Sequence, residues 1–227
     1  MIMKLDLFTS YFFIFIFMVI IFIYFKNYKY DIVSVKASLD NQYYLVRKLP
    51  DRKEAANRLA YIRTSLNKVV SYLKKKNKDD LYKKYIKGDE RLEKNISKEL
   101  FEKSLNKLLY KFINSSDIFS ESTPDAEYTS YSVNKGEELV FCLRLKKEGD
   151  KLVPKNTILF VALHELSHLM TLTLGHGEDF WNNFRFILKV AIDTPQKKSN
   201  VCFNENFKGG LDCPSGLPYI FMHRNNY

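Results

Sequence analysis

The chain has 227 residues, 46% of them apolar, and Lys plus Arg exceed Asp plus Glu by 36 − 26 = 10. That apolar content is ample for one packed domain with appendages. The three cysteines, Cys142, Cys202 and Cys213, are odd in number and lack a C-x-x-C spacing, which excludes a disulfide framework, suits a reducing compartment and leaves at most one bridge open. The basic balance permits nucleic acid or an anionic surface as a partner. Its companions are many Asn, Ile, Tyr and Phe residues, a pattern that also fits AT-rich codon usage, so charge by itself names no partner.

In chain order, residues 7–25 read LFTSYFFIFIFMVIIFIYF, without a charge. Nineteen residues rise about 28 Å as a helix, close to a hydrocarbon core of about 30 Å. The run is long for a signal peptide and no small-residue cleavage site follows it, so it predicts a retained transmembrane anchor. Lys4 lies before it, and Lys26, Lys29 and Lys36 lie after it. That bias predicts a single-pass protein with its C-terminal body on the cytoplasmic side.

Residues 31–49 read as a short helical or mixed linker ending at Pro50. Asp51, with Glu54 three residues on, has the spacing of a capping box. The helix that follows places Leu59, Ile62, Leu66, Val69 and Leu73 on one face, a core or self-association surface. Residues 74–113 are lysine-rich and helical in tendency, with the charges read as a solvated face. Residues 114–128 read as a loop. Leu139 to Leu145 reads as a mainly apolar strand, the candidate edge along which a peptide could add as a further strand. Asn156 is placed to cap a helix from Thr157 to Leu174, with Gly175 ending it. A second helix, Glu178 to Ile192, opens on two acidic residues at its positive end and closes before Pro195. The tail, 196–227, reads as irregular with at most one short strand.

The chemistry lies in VALHELSHLMTLTLGHGEDFW, Val161 to Trp181. No lysine or arginine falls between Lys155 and Arg185, whereas a basic residue recurs every few positions elsewhere. The helix is apolar almost all round, which predicts burial. An unpaired Glu165 there would cost several kcal/mol or be forced neutral; a nearby cation removes the objection. His164 and His168, four residues apart, project from one helical face and can share one Zn²⁺. Glu165 points about 100° away from His164. It cannot join them as a ligand but can take a proton from water at the metal. This is the H-E-x-x-H arrangement of metalloproteases. The site needs a third protein ligand and an open position for water. His176 leads, because Gly175 before it lets the chain turn sharply. Glu178, Asp179 and then His223 remain as alternatives. Phe180, Trp181 and Phe184 read as packing the second helix under the site.

At these residues the sequence resembles the zincin metallopeptidases with a short H-E-x-x-H…H signature, the WLM and SprT-like group. It is more similar to a set of metallopeptidase-like proteins of large nucleocytoplasmic DNA viruses. The shared pattern includes AANRLAYI at 55–62, TSYSVNKGEELVFCLR at 129–144 and NTILFVALHELSHLMTLTLGHGEDFWNNFRFIL at 156–188, within a resemblance covering roughly residues 31 to 220. It implies zinc ligands His164, His168 and His176, with Glu165 as catalytic base. The seven residues between His168 and His176 depart from the shorter gap of WLM proteins and the longer gap of SprT proteins.

The expected fold is a helix-dominated α+β protein. An N-terminal transmembrane helix (1–30) precedes a helical lysine-rich region (31–113) and a zincin-like core (114–227) with a small sheet and a central H-E-x-x-H helix. The expected activity is zinc-dependent hydrolysis of a protein or peptide substrate at a membrane of host or virion. The alternative is a non-catalytic, membrane-anchored protein that keeps zinc for structure, with Cys213 or His223 as a fourth ligand. SprT-like relatives act on protein crosslinked to DNA; the anchor argues against that here, so nucleic acid is not an expected partner.

Overall fold

The computed structural model describes residues 7–28, 32–126, 130–133, 137–145 and 149–194. Helices dominate, with α1 (Leu7–Tyr28), α2 (Arg52–Lys75), α3 (Lys78–Tyr85), α4 (Glu90–Asn95), α5 (Lys98–Lys111), α6 (Lys155–Met170) and α7 (Glu178–Asp193). The strands are β1 (Ile32–Lys36), β2 (Tyr43–Arg47), β3 (Phe119–Glu121), β4 (Ser130–Val133), β5 (Glu138–Phe141), β6 (Arg144–Leu145) and β7 (Lys151–Leu152). The expected helix-dominated α+β character therefore holds.

The membrane anchor does not. Among the described residues no helix is long and apolar enough to cross a membrane. The transmembrane helix, the single-pass placement and the assignment of the body to the cytoplasmic side of a membrane are all corrected by this finding.

Five strands form one sheet in the order β1-β2-β3-β5-β4. The central three run parallel, and the edge strands β1 and β4 run antiparallel to their neighbours. β6 and β7 make a separate two-stranded ribbon. Within the stretch 31–49, expected as a helical or mixed linker, residues 32–47 are instead the β1–β2 hairpin, turning through Asn41 at φ 60°. Alternation explains it: Tyr44 and Val46 are buried while Tyr43 and Leu45 are exposed, a period of two. The expected loop at 114–128 contains β3, the middle strand of the sheet. The expected strand Leu139–Leu145 breaks at Cys142–Leu143 into β5 and β6, and β5 is internal. Among the described residues the open edge on that side is β4.

The side of the sheet that carries Tyr44, Val46, Phe119, Leu139 and Phe141 meets the helices. α2 packs against β1, β2 and β3, α6 packs against β4 and β5, and α2 and α6 touch each other. The predicted face of α2 is the face that packs: Leu59, Ile62, Leu66, Val69 and Leu73 are all buried. Each such side chain contributes roughly 1.5–3 kcal/mol over an exposed one. On its far side α6 is clamped by α5 and α7. Phe101 of α5 and Phe186 of α7 meet edge-to-face at 5.1 Å.

A buried ionic cluster ties sheet, ribbon and α2 together. Arg144 Nε donates to Glu121 Oε1 at 2.6 Å, and its Nη1 donates to Asp51 Oδ2 at 2.8 Å and to the Asp150 carbonyl at 2.9 Å. The second oxygen of Glu121 accepts from the Arg47 amide at 2.8 Å. Asp51 therefore stands at the start of α2 without making a capping hydrogen bond there; its carboxylate is engaged with Arg144 instead.

Candidate metal centre

α6 begins at Lys155, two residues before the expected start, with Pro154 rather than Asn156 at the cap position. Pro154 lacks an N–H and fixes φ, which suits the entrance of a helix. The other end stops at Met170, four residues short of expectation. There Thr171 folds back on the helix: its amide donates to the Ser167 carbonyl at 3.0 Å and its hydroxyl to the same carbonyl at 2.8 Å. Asn183 of α7 donates to the Thr171 hydroxyl at 3.1 Å, and the Lys107 ammonium of α5 donates to the Thr171 carbonyl. The chain then crosses to α7 as a loop, in which Gly175 takes φ +80°. Only glycine holds that conformation without strain.

This loop brings His176 over the exposed face of α6. His164 and His168 lie one turn apart with ring centroids 5.0 Å from each other, and the His176 ring lies 4.9 and 4.8 Å from theirs. The Nε2 atom of His176 is 2.9 Å from that of His164 and 3.2 Å from that of His168. Tetrahedral ligands at about 2.0–2.1 Å from a metal stand about 3.3 Å from one another. One ligand atom from each ring lies within 4.8 Å of the others, so the three imidazoles suit a single ion.

The environment favours neutral rings, the form that binds metal. Burial lowers the pKa of His164 to about 4, helped by the nearby His168 and His176. Burial also lowers that of His168 to about 4, helped by His176 and by the charge of Lys107. Phe180, fully buried, underlies all three rings at 4.7, 4.3 and 4.7 Å. Phe184 is also core. Trp181 is different, since it is 40% exposed and its ring lies 6.1 Å from that of His176 and 6.5 Å from that of His164.

Glu165 is 6% exposed and outside the histidine cluster. Burial pushes its pKa up to about 7, near the value that suits proton exchange at neutral pH. Asp179, an alternative ligand from the sequence, is occupied elsewhere: one oxygen accepts from the Thr173 hydroxyl at 2.5 Å, the other from the Phe180 amide at 2.9 Å. Glu178 also stands outside the cluster. His223, Cys202 and Cys213 lie outside the described residues. Lys107 and Asn183 were not legible as neighbours of the site. Lys107 is 61 positions before His168 in the sequence, and no local pattern links them.

Comparison with known proteins places the chain. It is 35% identical over 176 residues to "Uncharacterized protein R325" of Acanthamoeba polyphaga mimivirus, covering 77% of this chain and 78% of that one. This chain belongs to the same family as that mimivirus protein. The chain is also similar to proteins of iridescent viruses. "Uncharacterized protein 136R" of Invertebrate iridescent virus 6 is 28% identical over 108 residues, 47% of this chain and 57% of its own. "Uncharacterized protein 042R" of Invertebrate iridescent virus 3 is 29% identical over 80 residues, 35% and 49% respectively. The relatives are thus proteins of large DNA viruses. No protein-family description and no solved structure matches the chain.

Proposed function

We propose that the protein is a zinc-dependent peptidase of the zincin type. The observation that carries the reading is the convergence of three imidazole Nε2 atoms, two from α6 and one from the loop after it, with the buried carboxyl of Glu165 next in sequence to His164 on α6. Three histidines with an open fourth position are the donor set of a catalytic rather than a structural zinc. His164, His168 and His176 would hold the ion. Bound zinc would bring the pKa of water at the site down towards neutrality and polarise a carbonyl oxygen.

The chain's own residues supply the rest. Glu165 accepts the proton of the attacking water and returns it to the leaving amine nitrogen. Phe180, buried beneath all three rings, closes that side of the site to water. A peptide would lie along β4, the strand at the open edge of the sheet that packs against α6. Strand addition satisfies its backbone groups and brings its carbonyls past the site. This replaces Leu139–Leu145 as the docking strand, because β5 already has neighbours on both sides.

The test pairs metal analysis with hydrolysis of a mixed peptide library by the full chain and by Glu165→Gln. The variant should keep its zinc and lose hydrolysis by roughly 10²–10⁴-fold. Equal hydrolysis by both proteins would refute the assignment of Glu165. Zinc retained by both with hydrolysis by neither would leave the ion a structural role.

A further inference from the structure

The third histidine has to be held. His164 and His168 are fixed by a helix packed on three sides, whereas His176 is exposed and rides on the loop between Thr171 and Gly177. Such a loop would ordinarily sample many conformations, and each binding event would have to restrict them. Two details show what restricts this one. The Thr173 hydroxyl, three residues before His176, donates to the carboxylate of Asp179, three residues after it. A hydrogen bond to an ionised group is shorter and roughly twice as strong as a neutral one. Independently, a Cβ added to Gly177 would meet Asp179 Oδ1 at 3.1 Å. Position 177 is therefore bare where the carboxylate folds back over the chain. At Gly175 a Cβ would meet nothing within 4 Å, and that glycine answers to its φ of +80° alone. The two glycines flanking His176 thus have separate reasons: one turns the chain, the other makes room for Asp179.

We infer that Thr173 and Asp179 form a clasp that closes the loop and holds His176 in the position from which it completes the metal site. Asp179 is a positioning residue and not a ligand. The inference rests on the three-histidine site proposed above. Because the clasp lies at the surface, its loss should barely move the stability of the metal-free fold; it should act on metal affinity.

The experiment is zinc affinity of the full chain, measured by competition with a chromophoric chelator, for wild type and for Thr173→Val, Thr173→Ser and His176→Ala. Thr173→Val keeps the shape and removes the hydroxyl. It should weaken zinc binding about 10-fold, within the range usual for partners just outside a metal's ligands. Thermal unfolding of the metal-free protein should be unchanged, and Thr173→Ser should restore the affinity. Wild-type affinity in Thr173→Val, or no rescue by Thr173→Ser, overturns the clasp. His176→Ala reads the underlying site separately: if it binds zinc as tightly as wild type, the three-histidine site fails and the clasp with it.

Discussion

Replacing His176 by alanine separates a three-histidine metal site from three rings that merely pack together. The ring is exposed, so the metal-free variant should match wild type within about 0.5 kcal/mol. The difference should emerge with zinc. A ligand that binds only the folded state stabilises it by about 2.7 kcal/mol when present at 100 times its Kd. For a domain of this size each kcal/mol moves Tm by roughly 2–4 °C, so wild type should gain about 5–11 °C. Loss of a direct ligand should cost at least the 100-fold that an outer partner can cost. At the same zinc concentration the variant would then sit at about its Kd, where the stabilisation is about 0.4 kcal/mol and the gain about 1–2 °C. The assay is thermal unfolding of both proteins with chelator and with fixed free zinc. A variant that keeps more than half of the wild-type gain would refute the reasoning, because the convergence of Nε2 atoms would then have no energetic content.

Three further outcomes test the scaffold. Arg144→Ala strands the buried carboxylate of Glu121 and should cost about 3–5 kcal/mol in urea unfolding; a loss below about 1 kcal/mol would contradict the buried cluster. Asp89 is 9% exposed. Burial works to raise its pKa, but hydrogen bonds from Lys189, Arg185 and the Leu92 amide bring it down to about 2 from 3.8. A depressed pKa contributes stability present above pH about 4 and lost as pH falls through about 2. Its partners are partly exposed, so the ion pairs amount to about 1 kcal/mol. Asp89→Ala should cost about 2 kcal/mol at neutral pH, the lost helix cap included, and acid titration of stability should show a shallower fall between pH 4 and 2. Gly175→Ala places a Cβ at φ +80° and should cost about 1–2 kcal/mol. An unchanged Tm would mean that the loop relaxes away from this conformation.

Local patterns were legible in the sequence where one element sufficed to create them. The stripe from Leu59 to Leu73 is buried as its spacing implied. α7 lies within one residue of its predicted ends, with Glu178 and Asp179 in its first turn. Hydropathy misled at α1, where a chargeless run does not amount to a spanning helix among the described residues. It also missed β3, whose three residues are too short to show a period. Composition placed Phe180, Trp181 and Phe184 together under the site. Only packing separates the two buried rings from Trp181, which stands beside the histidines.

What the sequence determined by itself is the pairing of His164 with His168 on one helical face and the apolar surroundings that bury Glu165. The first follows from 3.6 residues per turn, the second from a helix that is apolar almost all round. The tertiary structure decided the rest: that His176 and not Asp179 joins the pair, that β4 is the open edge, that β3 lies mid-sheet, and that Lys107 braces the end of α6. Each depends on which distant segments meet. Strand order and loop closure are set by the sum of many weak contacts across the core, and no short stretch of residues carries that sum.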